Sequence, residues 1–197
     1  MDPHREFFED LAATWDSEQP GNRMQHLDNL FRSVMPGFTD CQKVLIVGSG
    51  TGVLSPIFHN QYPGISIFSI DIALSMLRAH HDCDISDPVV QADVHDLPFM
   101  DKVFDGVLCH NSFPHFSNHP KALKEMVRVL KPLRRLIIFH DINRESVNFV
   151  HREAKSNVIH HDILPEPERL ASLMKFCGIK KIKAKEADDY FLVYGNK

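Results

Sequence analysis

The chain has 197 residues, of which 43% are hydrophobic and 24% are charged, and its formal net charge is −4. This length suffices for one domain with a sizeable core, and the composition is typical of a globular protein. The acidic balance argues against a nucleic-acid partner. The sequence has neither an apolar run of membrane-spanning length nor an N-terminal signal peptide, so we expect no membrane partner. Four cysteines without a CxxC pair indicate a reducing cytoplasm.

The first forty residues predict two helices ahead of an α/β core. Residues 2–16 form the first, and residues 24–35 form the second, because apolar side chains recur there at helical spacing. We expect a single domain over residues 1–197, with a helical cap at 1–40 and an α/β core at 41–197.

From residue 41 onward, predicted strands alternate with predicted helices, which indicates a parallel, doubly wound sheet. The predicted strands cover residues 43–47, 65–70, 88–92, 103–109, 134–140, 179–184 and 190–194, the last two as a terminal hairpin. The predicted helices of the core cover residues 51–60, 73–81, 121–130, 145–155 and 166–177. We therefore expect a three-layer α/β fold with a mostly parallel, seven-stranded sheet.

Residues 43–56, KVLIVGSGTGVLSP, predict a buried strand, a glycine turn and a helix. Glycines at 48, 50 and 52 let a ligand approach the main chain closely. A helix starting near Thr51 would direct free N–H groups at that ligand. The dinucleotide fingerprint needs a further glycine at position 53, where Val53 stands, and this opposes an NAD-dependent reductase.

The second predicted strand ends in Asp71. An acid at the tip of strand two can accept from both hydroxyls of a ribose. The glycine turn together with Asp71 therefore predicts a site for an adenosine-type cofactor. The alternative is an α/β turn that binds nothing.

Several stretches carry a resemblance to a known family. They are VLIVGSGTG, SIDIALSML, QADVHDLPFMDKVFDGVLCHNSFPHF and ALKEMVRVLKP followed by RRLIIFH. In this order and at this spacing they resemble the class I S-adenosylmethionine-dependent methyltransferases over nearly the whole chain, and in particular small bacterial or archaeal members. The resemblance implies a Rossmann-like methyltransferase fold whose N-terminal helices help to cover the cofactor, so that Trp15 and Asp16 are candidates to line the site.

The resemblance also implies a set of residues that bind S-adenosylmethionine. The loop after strand one would pass beneath the methionine part, Asp71 would hold the ribose, and Asp93 would accept from the adenine amino group. The end of strand four would face the sulfonium and its methyl group. The implied cofactor-binding residues are Gly48, Ser49, Gly50, Gly52, Asp71, Ile72, Asp93, Val94, Asn111 and Ser112.

Two positions depart from the family pattern. The family usually carries an acid where Ile46 stands, and that acid helps to hold the methionine ammonium, so the resemblance implies weaker cofactor binding here. The family also favours two glycines after LKP, where this chain has Leu133 and Arg134. That turn is expected to lie far from the cofactor and to affect folding more than activity.

Thirteen histidines are an unusual number, and some fall at strand ends on the cofactor side. His115, His140 and His151 are the candidate catalytic residues. One of them is a candidate general base, or the three are candidates to hold a divalent metal that orients the acceptor. Alternatively, they cap strands and bind the backbone, and the sequence identifies no particular ion.

We therefore expect a cytoplasmic enzyme, a monomer or a homodimer, that transfers a methyl group from S-adenosylmethionine to a small-molecule acceptor. Methyl transfer requires alignment of donor and acceptor more than covalent catalysis, which fits the absence of a visible catalytic triad. The alternative is a degenerate, non-catalytic protein that binds S-adenosylmethionine, and Ile46 favours it.

Overall fold

The computed structural model describes residues 2–81 and 87–197, and Cys83 lies outside these ranges. Seven strands form one sheet. The strands are β1 Lys43–Val47, β2 Ser66–Asp71, β3 Val89–Gln91, β4 Phe104–His110, β5 Leu130–His140, β6 Lys180–Ala187 and β7 Tyr190–Asn196. The α-helices are α1 Pro3–Leu11, α2 Arg23–Ser33, α3 Leu54–Gln61, α4 Leu74–His81, α5 His119–Val129, α6 Arg144–Glu153 and α7 Pro167–Phe176.

The strand order is β3-β2-β1-β4-β5-β7-β6. The five strands from β3 to β5 are parallel, and β7 lies antiparallel to both β5 and β6. This confirms the predicted mostly parallel, seven-stranded sheet with a terminal hairpin. The chain reverses its direction of winding between β1 and β4, and ligands of such sheets bind beyond the carboxyl ends of the strands at that point.

Helices cover both faces of the sheet, which gives the three predicted layers. Alternate side chains of β1 enter different cores, because successive residues of a strand point to opposite faces. Val44 and Ile46 pack with α2 and α3, while Leu45 and Val47 belong to the core under α5 and α7. The second predicted helix of the N-terminal cap is therefore part of one sheet-covering layer.

The observed element bounds agree best with prediction where an apolar run has clear ends. β1 has the predicted bounds, because Lys43 precedes its apolar run and Gly48 follows it. α3 begins at Leu54 and not near Thr51, because the glycine turn continues to Val53. β5 begins at Leu130, directly after α5, and is longer than predicted because its first residue already pairs with Phe104.

The departure at Leu133 has a visible structural consequence. Leu133 has φ of 64°, in the left-handed region, and its side chain is largely exposed. Its N–H donates to the carbonyl of Lys197, and the N–H of Lys197 donates to the carbonyl of Arg134. Leu133 lies near the start of β5, where the pairing register with β4 shifts between Phe104 and Gly106, away from the carboxyl ends of the strands. A glycine at this position would adopt the same φ without strain.

None of the helices in residues 2–81 and 87–197 combines the length and apolarity that a membrane crossing requires.

Candidate functional site

A cavity opens at the carboxyl ends of β1, β2 and β4. Nine of the ten predicted cofactor-binding residues line it, and the exception is Gly52. The N-terminal segment closes one side of the cavity with Phe8 and Trp15. The predicted residues on its wall are Gly48, Ser49, Gly50, Asp71, Ile72, Asp93, Val94, Asn111 and Ser112.

Gly48 and Gly50, in the loop after β1, differ in what a side chain at each position would meet. Gly48 has φ of 66°, and a Cβ there would lie 2.2 Å from Oγ of Ser112. Gly50 has φ of 55°, and a Cβ there would meet no atom within 4 Å. Gly48 is therefore required by packing against the end of β4, whereas Gly50 leaves free space at the cavity wall. The Ser112 hydroxyl, predicted to face the methyl group, donates to the carbonyls of Val47 and His110.

Asp71 connects β2 to the glycine loop. Its Oδ2 accepts from the N–H of Gly50 at 2.9 Å, and its Oδ1 accepts from the N–H of Ala73 at 3.0 Å. Burial raises the pKa of this carboxyl group, although the backbone N–H groups oppose that effect. A carboxylate offers about four acceptor sites, so Asp71 retains capacity for the hydroxyls of a ribose while it holds the loop.

Asp93 lies on the cavity wall in a fixed orientation. Its Oδ1 accepts from the backbone N–H of His95 at 2.8 Å and lies 2.6 Å from the ring Nδ1 of the same residue. The Nε2 of His95 accepts from the N–H of Asn118 at 3.1 Å, which places the ring proton on Nδ1. Because Oδ1 makes these bonds, Oδ2 of Asp93 is the oxygen left for a ligand.

The segment after α1 contacts the loop directly. The Thr51 hydroxyl donates to Oδ1 of Asp16 at 2.6 Å, and Trp15 lies on the cavity wall. Trp15 therefore lines the cavity, as expected, whereas Asp16 does not line it and instead accepts a hydrogen bond from Thr51 of the glycine loop.

A buried charged cluster surrounds Asp141, at the end of β5. Nε of Arg23 donates to Oδ2 of Asp141 at 3.2 Å, and the Asn111 side-chain amide donates to Oδ1. The N–H of Asp141 donates back to Oδ1 of Asn111 at 3.2 Å. Nε2 of His26 donates to the Asp141 carbonyl at 2.9 Å. The side chain of Asn111, predicted to face the methyl group, is thus bonded to Asp141 in both directions.

The charges in this cluster set the pKa of its members. Burial raises the pKa of Asp141, but His110, Arg23 and the hydrogen bonds from Asn111 and Arg23 outweigh it and lower the pKa to about 2. Burial lowers the pKa of His110 to about 4, against the attraction of Asp141. At neutral pH the cluster therefore contains an ionised Asp141, a cationic Arg23 and a neutral His110.

His115 also lines the cavity and lies in a short 3₁₀ helix, Phe113–His115. Its Nδ1 is 2.7 Å from Oδ2 of Asp162, and Nε2 of His4 is 2.9 Å from the same oxygen. Burial raises the pKa of Asp162, but hydrogen bonds from His115 and His4 outweigh it and lower the pKa to about 2. Hydrogen bonding to Asp162 raises the pKa of His4. An ionised carboxylate therefore lies between two imidazoles.

The three predicted catalytic histidines do not all line the cavity, although the ring centroids of His115 and His151 are 4.9 Å apart. His115 lines the cavity, whereas His140 and His151 are both buried and are not on its wall. Nδ1 of His151 donates to the backbone carbonyl of Asp162 at 2.7 Å, and the ring of His140 packs edge-on against Phe191. Of the three candidates, the structure therefore places only His115 where an acceptor in the cavity could meet it.

Three residues of the site were missed by reasoning from the sequence. Arg23 and His4 lie in or beside predicted N-terminal helices, and Asp162 lies in a segment without secondary structure. Their partners are distant in sequence: Arg23 contacts Asp141, 118 positions away, and His4 contacts Asp162, 158 positions away. The sequence offered one signal for them, namely that each is an ionisable residue in or near a short predicted helix.

Comparison with known proteins supports the resemblance that the sequence motifs indicate for the α/β core. Residues 45–138 match a family described as a methyltransferase domain. A demethylmenaquinone methyltransferase of Thermotoga maritima is 32% identical over 97 residues, which cover 49% of this chain and 42% of that protein. The ubiquinone/menaquinone biosynthesis C-methyltransferase UbiE of Pseudomonas savastanoi is 33% identical over 142 residues, covering 68% of this chain and 56% of the relative. The chain thus spans about half the length of these relatives.

Solved structures share the whole fold. A Thermotoga maritima protein described as an S-adenosylmethionine-dependent methyltransferase and possible histamine N-methyltransferase superposes with a TM-score of 0.77 at 20% identity, covering 98% of this chain and 99% of that one. A methyltransferase of Archaeoglobus fulgidus superposes with a TM-score of 0.70 at 16% identity, covering 88% and 94%. At these identities the likeness concerns the fold. Together, the comparisons identify a methyltransferase domain in residues 45–138, within a chain that has the class I methyltransferase fold.

Proposed function

We propose that this chain transfers the methyl group of S-adenosylmethionine to a small-molecule acceptor that enters the cavity beside His115. The observation that carries the proposal is that the glycine loop, Asp71 and His115 all line one cavity. A site for the donor and a site for an acceptor would therefore share one wall, as direct transfer requires.

The residues present fit the adenosine part of the cofactor. The open space at Gly50 admits a ligand against the backbone, and Asp71 retains acceptor capacity for the ribose. Ile72 and Val94 offer apolar contact to an adenine ring, and Oδ2 of Asp93 can accept from its amino group. Hydrogen bonds within the protein already orient the carboxylates of Asp71 and Asp93, so little ordering of these two groups is needed on binding.

The methionine part would be held by a different arrangement from the family pattern. Ile46 is fully buried in the core under α2 and does not line the cavity. Arg23 does line it, and only its Nε is bonded to Asp141, so its other N–H donors are available for a carboxylate. We assign Arg23 to binding the methionine carboxylate. The negative charge of Asp141 would partly replace the acid that the family carries at the position of Ile46, which helps to hold the methionine ammonium.

S-adenosylmethionine supplies a methyl group bonded to a cationic sulfur. Phe8, Trp15 and Phe116 line the cavity and would exclude water from the acceptor. Because Asp162 engages Nδ1 of His115, the Nε2 of that ring is the nitrogen left to orient an acceptor or to take its proton.

The acceptor class is narrowed by the cavity and by the relatives. The aromatic lining by Phe8, Trp15 and Phe116 suits a flat or apolar small molecule. Two relatives bear names that refer to quinone methylation, so a quinol belongs in any acceptor panel, although the aligned segment is only about half of each of those proteins.

The test is turnover of S-adenosylmethionine against a panel of quinol, thiol, amine and hydroxyl acceptors. Wild-type protein should methylate at least one of them. His115→Ala should lower turnover much more than cofactor affinity, and His140→Ala, which alters a buried histidine away from the cavity wall, should leave turnover closer to wild type. Cofactor binding without turnover on any acceptor would favour the non-catalytic alternative, and no binding at all would contradict the proposal.

A further inference from the structure

Three side chains of types that can bind a metal meet beside the cavity, and two of them, His4 and His115, line it. Oδ2 of Asp162 lies 2.9 Å from Nε2 of His4 and 2.7 Å from Nδ1 of His115. Within the part of the chain that the structure describes, these three residues form a group whose ligand atoms all lie within 4.8 Å of one another. We propose that His4, His115 and Asp162 bind one divalent transition-metal ion of the zinc type.

The spacing of the three atoms suits such an ion after a small outward movement. Zinc binds histidine nitrogen and carboxylate oxygen at about 2.0–2.2 Å, so two ligand atoms on one ion lie roughly 3 to 3.5 Å apart. The two nitrogen–oxygen distances, 2.7 and 2.9 Å, are shorter than this by about 0.1–0.8 Å, and the two nitrogens lie within 4.8 Å of each other. Two imidazoles and one carboxylate also match the three-ligand sets of zinc sites that keep an open position. Calcium and magnesium prefer sites made of oxygen atoms, which this group is not.

The carboxylate ligand is held in place by groups behind it. The backbone carbonyl of Asp162 accepts from Nδ1 of His151 at 2.7 Å. Asn148 accepts from the N–H of Leu164 at 2.8 Å and donates to the carbonyl of the same residue at 3.1 Å. Both Asn148 and His151 are buried on α6. Partners of this kind orient the ligands of metal sites and raise metal affinity.

The ion would also fasten the N-terminal helix to the core. No residue of α1, Pro3–Leu11, is fully buried, and its Phe8 packs edge-on against the ring of His115 at 5.0 Å. Glu9 accepts from the N–H groups of Leu74 and Ser75 at 2.8 and 2.7 Å, and His4 contacts Asp162 at the other end of the helix. A metal at His4 would therefore stabilise the cavity wall that α1 and the following segment form.

The open coordination positions would face the cavity. His4 and His115 both line it, so a water molecule or a donor atom of a bound molecule could complete the coordination. In the metal-loaded protein Nδ1 of His115 is a ligand and Nε2 carries the ring proton, so the ion would orient the acceptor in place of the free imidazole. This consequence rests on the proposed function, whereas the metal site itself does not.

The experiment is metal binding by the full chain without a His-tag. After dialysis against zinc and then against buffer, elemental analysis should find close to one equivalent, and cobalt should give the intense visible absorption of a site with few ligands. Calorimetry with zinc should show binding at least about 100-fold weaker in His4→Ala and in Asp162→Asn, because loss of a ligand should cost no less than loss of an outer-shell partner, which costs roughly 10–100-fold. The matched control is His59→Ala, because His59 pairs with Asp87 at 2.9 Å on another part of the surface; its zinc affinity should be that of wild type.

Wild-type protein that retains no zinc, or His4→Ala and Asp162→Asn that bind it like the control, would overturn the metal site. If the variants fail to fold, the zinc content and cobalt spectrum of the wild-type protein still decide. Titration of S-adenosylmethionine into the same samples separates the two proposals. Cofactor binding without zinc overturns the metal site alone, and zinc binding without cofactor binding overturns the proposed function alone.

Discussion

Gly48 and Ser112 lie so close that a Cβ on Gly48 would be 2.2 Å from the Ser112 Oγ. The contact joins the loop after β1 to the end of β4, the two segments between which the sheet changes its direction of winding. The hydroxyl that fills this space also donates to the carbonyl of Val47 at 3.1 Å. The cavity floor is thus formed by direct packing of one loop on the next strand end.

Gly48→Ala should destabilise the fold by about 2 to 4 kcal/mol, because it adds both overpacking and left-handed backbone strain. Chemical denaturation measures the loss. The double variant Gly48→Ala/Ser112→Gly removes the clash and keeps the strain, so it should recover part of the loss relative to the two single variants. Strict additivity of the single effects would contradict this account of the contact.

Gly50→Val should abolish measurable S-adenosylmethionine binding in a protein that still folds, because its side chain would occupy free space at the cavity wall. The matched control is Gly64→Val. Gly64 also has positive φ, 96°, and free space around a Cβ, but it lies in the turn between α3 and β2. The control should carry a strain penalty at least as large, because φ of 96° lies outside the left-handed region that L residues can adopt, and it should bind the cofactor normally. Calorimetry that finds the same affinity in both variants would remove Gly50 from the site.

Asp141 should make stability depend on pH in the acid range. Its pKa is about 2 in the folded protein and 3.8 in the unfolded reference, so the folded state binds fewer protons between these values. The resulting stabilisation, about 2 kcal/mol, is present above pH 3.8 and is lost as the pH falls toward 2. The stability difference between wild type and Asp141→Asn should therefore shrink by about this amount on acidification. Urea denaturation across the range tests it, and a constant difference would contradict it.

Leu133→Gly should stabilise the fold by about 1 kcal/mol. It relieves the left-handed strain at φ 64°, which costs about 1–2 kcal/mol, against a smaller entropic cost of glycine in the unfolded chain. The side chain is 81% exposed, so little packing is lost. Leu133→Ala removes the same side chain and keeps the strain, so it should show no such gain in denaturation. Equal stabilities of the two variants would mean that the strain relieved at Leu133 is no larger than the entropic cost of glycine, which would contradict the prediction.

The fold could be predicted from the sequence because local patterns determine most of it. β1 was bounded correctly by its apolar run and the glycine that follows, and the cavity-facing positions of Asp71 and Asp93 follow from their place at strand ends. The start of α3 was predicted about three residues too early, because helix propensity does not show how far the glycine turn extends. The pairs Arg23 with Asp141 and His4 with Asp162 were beyond prediction, since they depend on how the N-terminal helices dock on the sheet.

The central claim is that the cavity at Asp71 binds S-adenosylmethionine, and a calorimetric titration of the full chain tests it most directly. Asp87→Ala serves as the control, because Asp87 is paired with His59 away from the cavity. We predict saturable binding at one equivalent to wild type and to the control, no binding of NAD, and binding weaker by about 1.5–3 kcal/mol in Asp71→Ala, the range for a hydrogen bond to a charged group. No binding to wild type, or equal affinity in Asp71→Ala and Asp87→Ala, would contradict the claim.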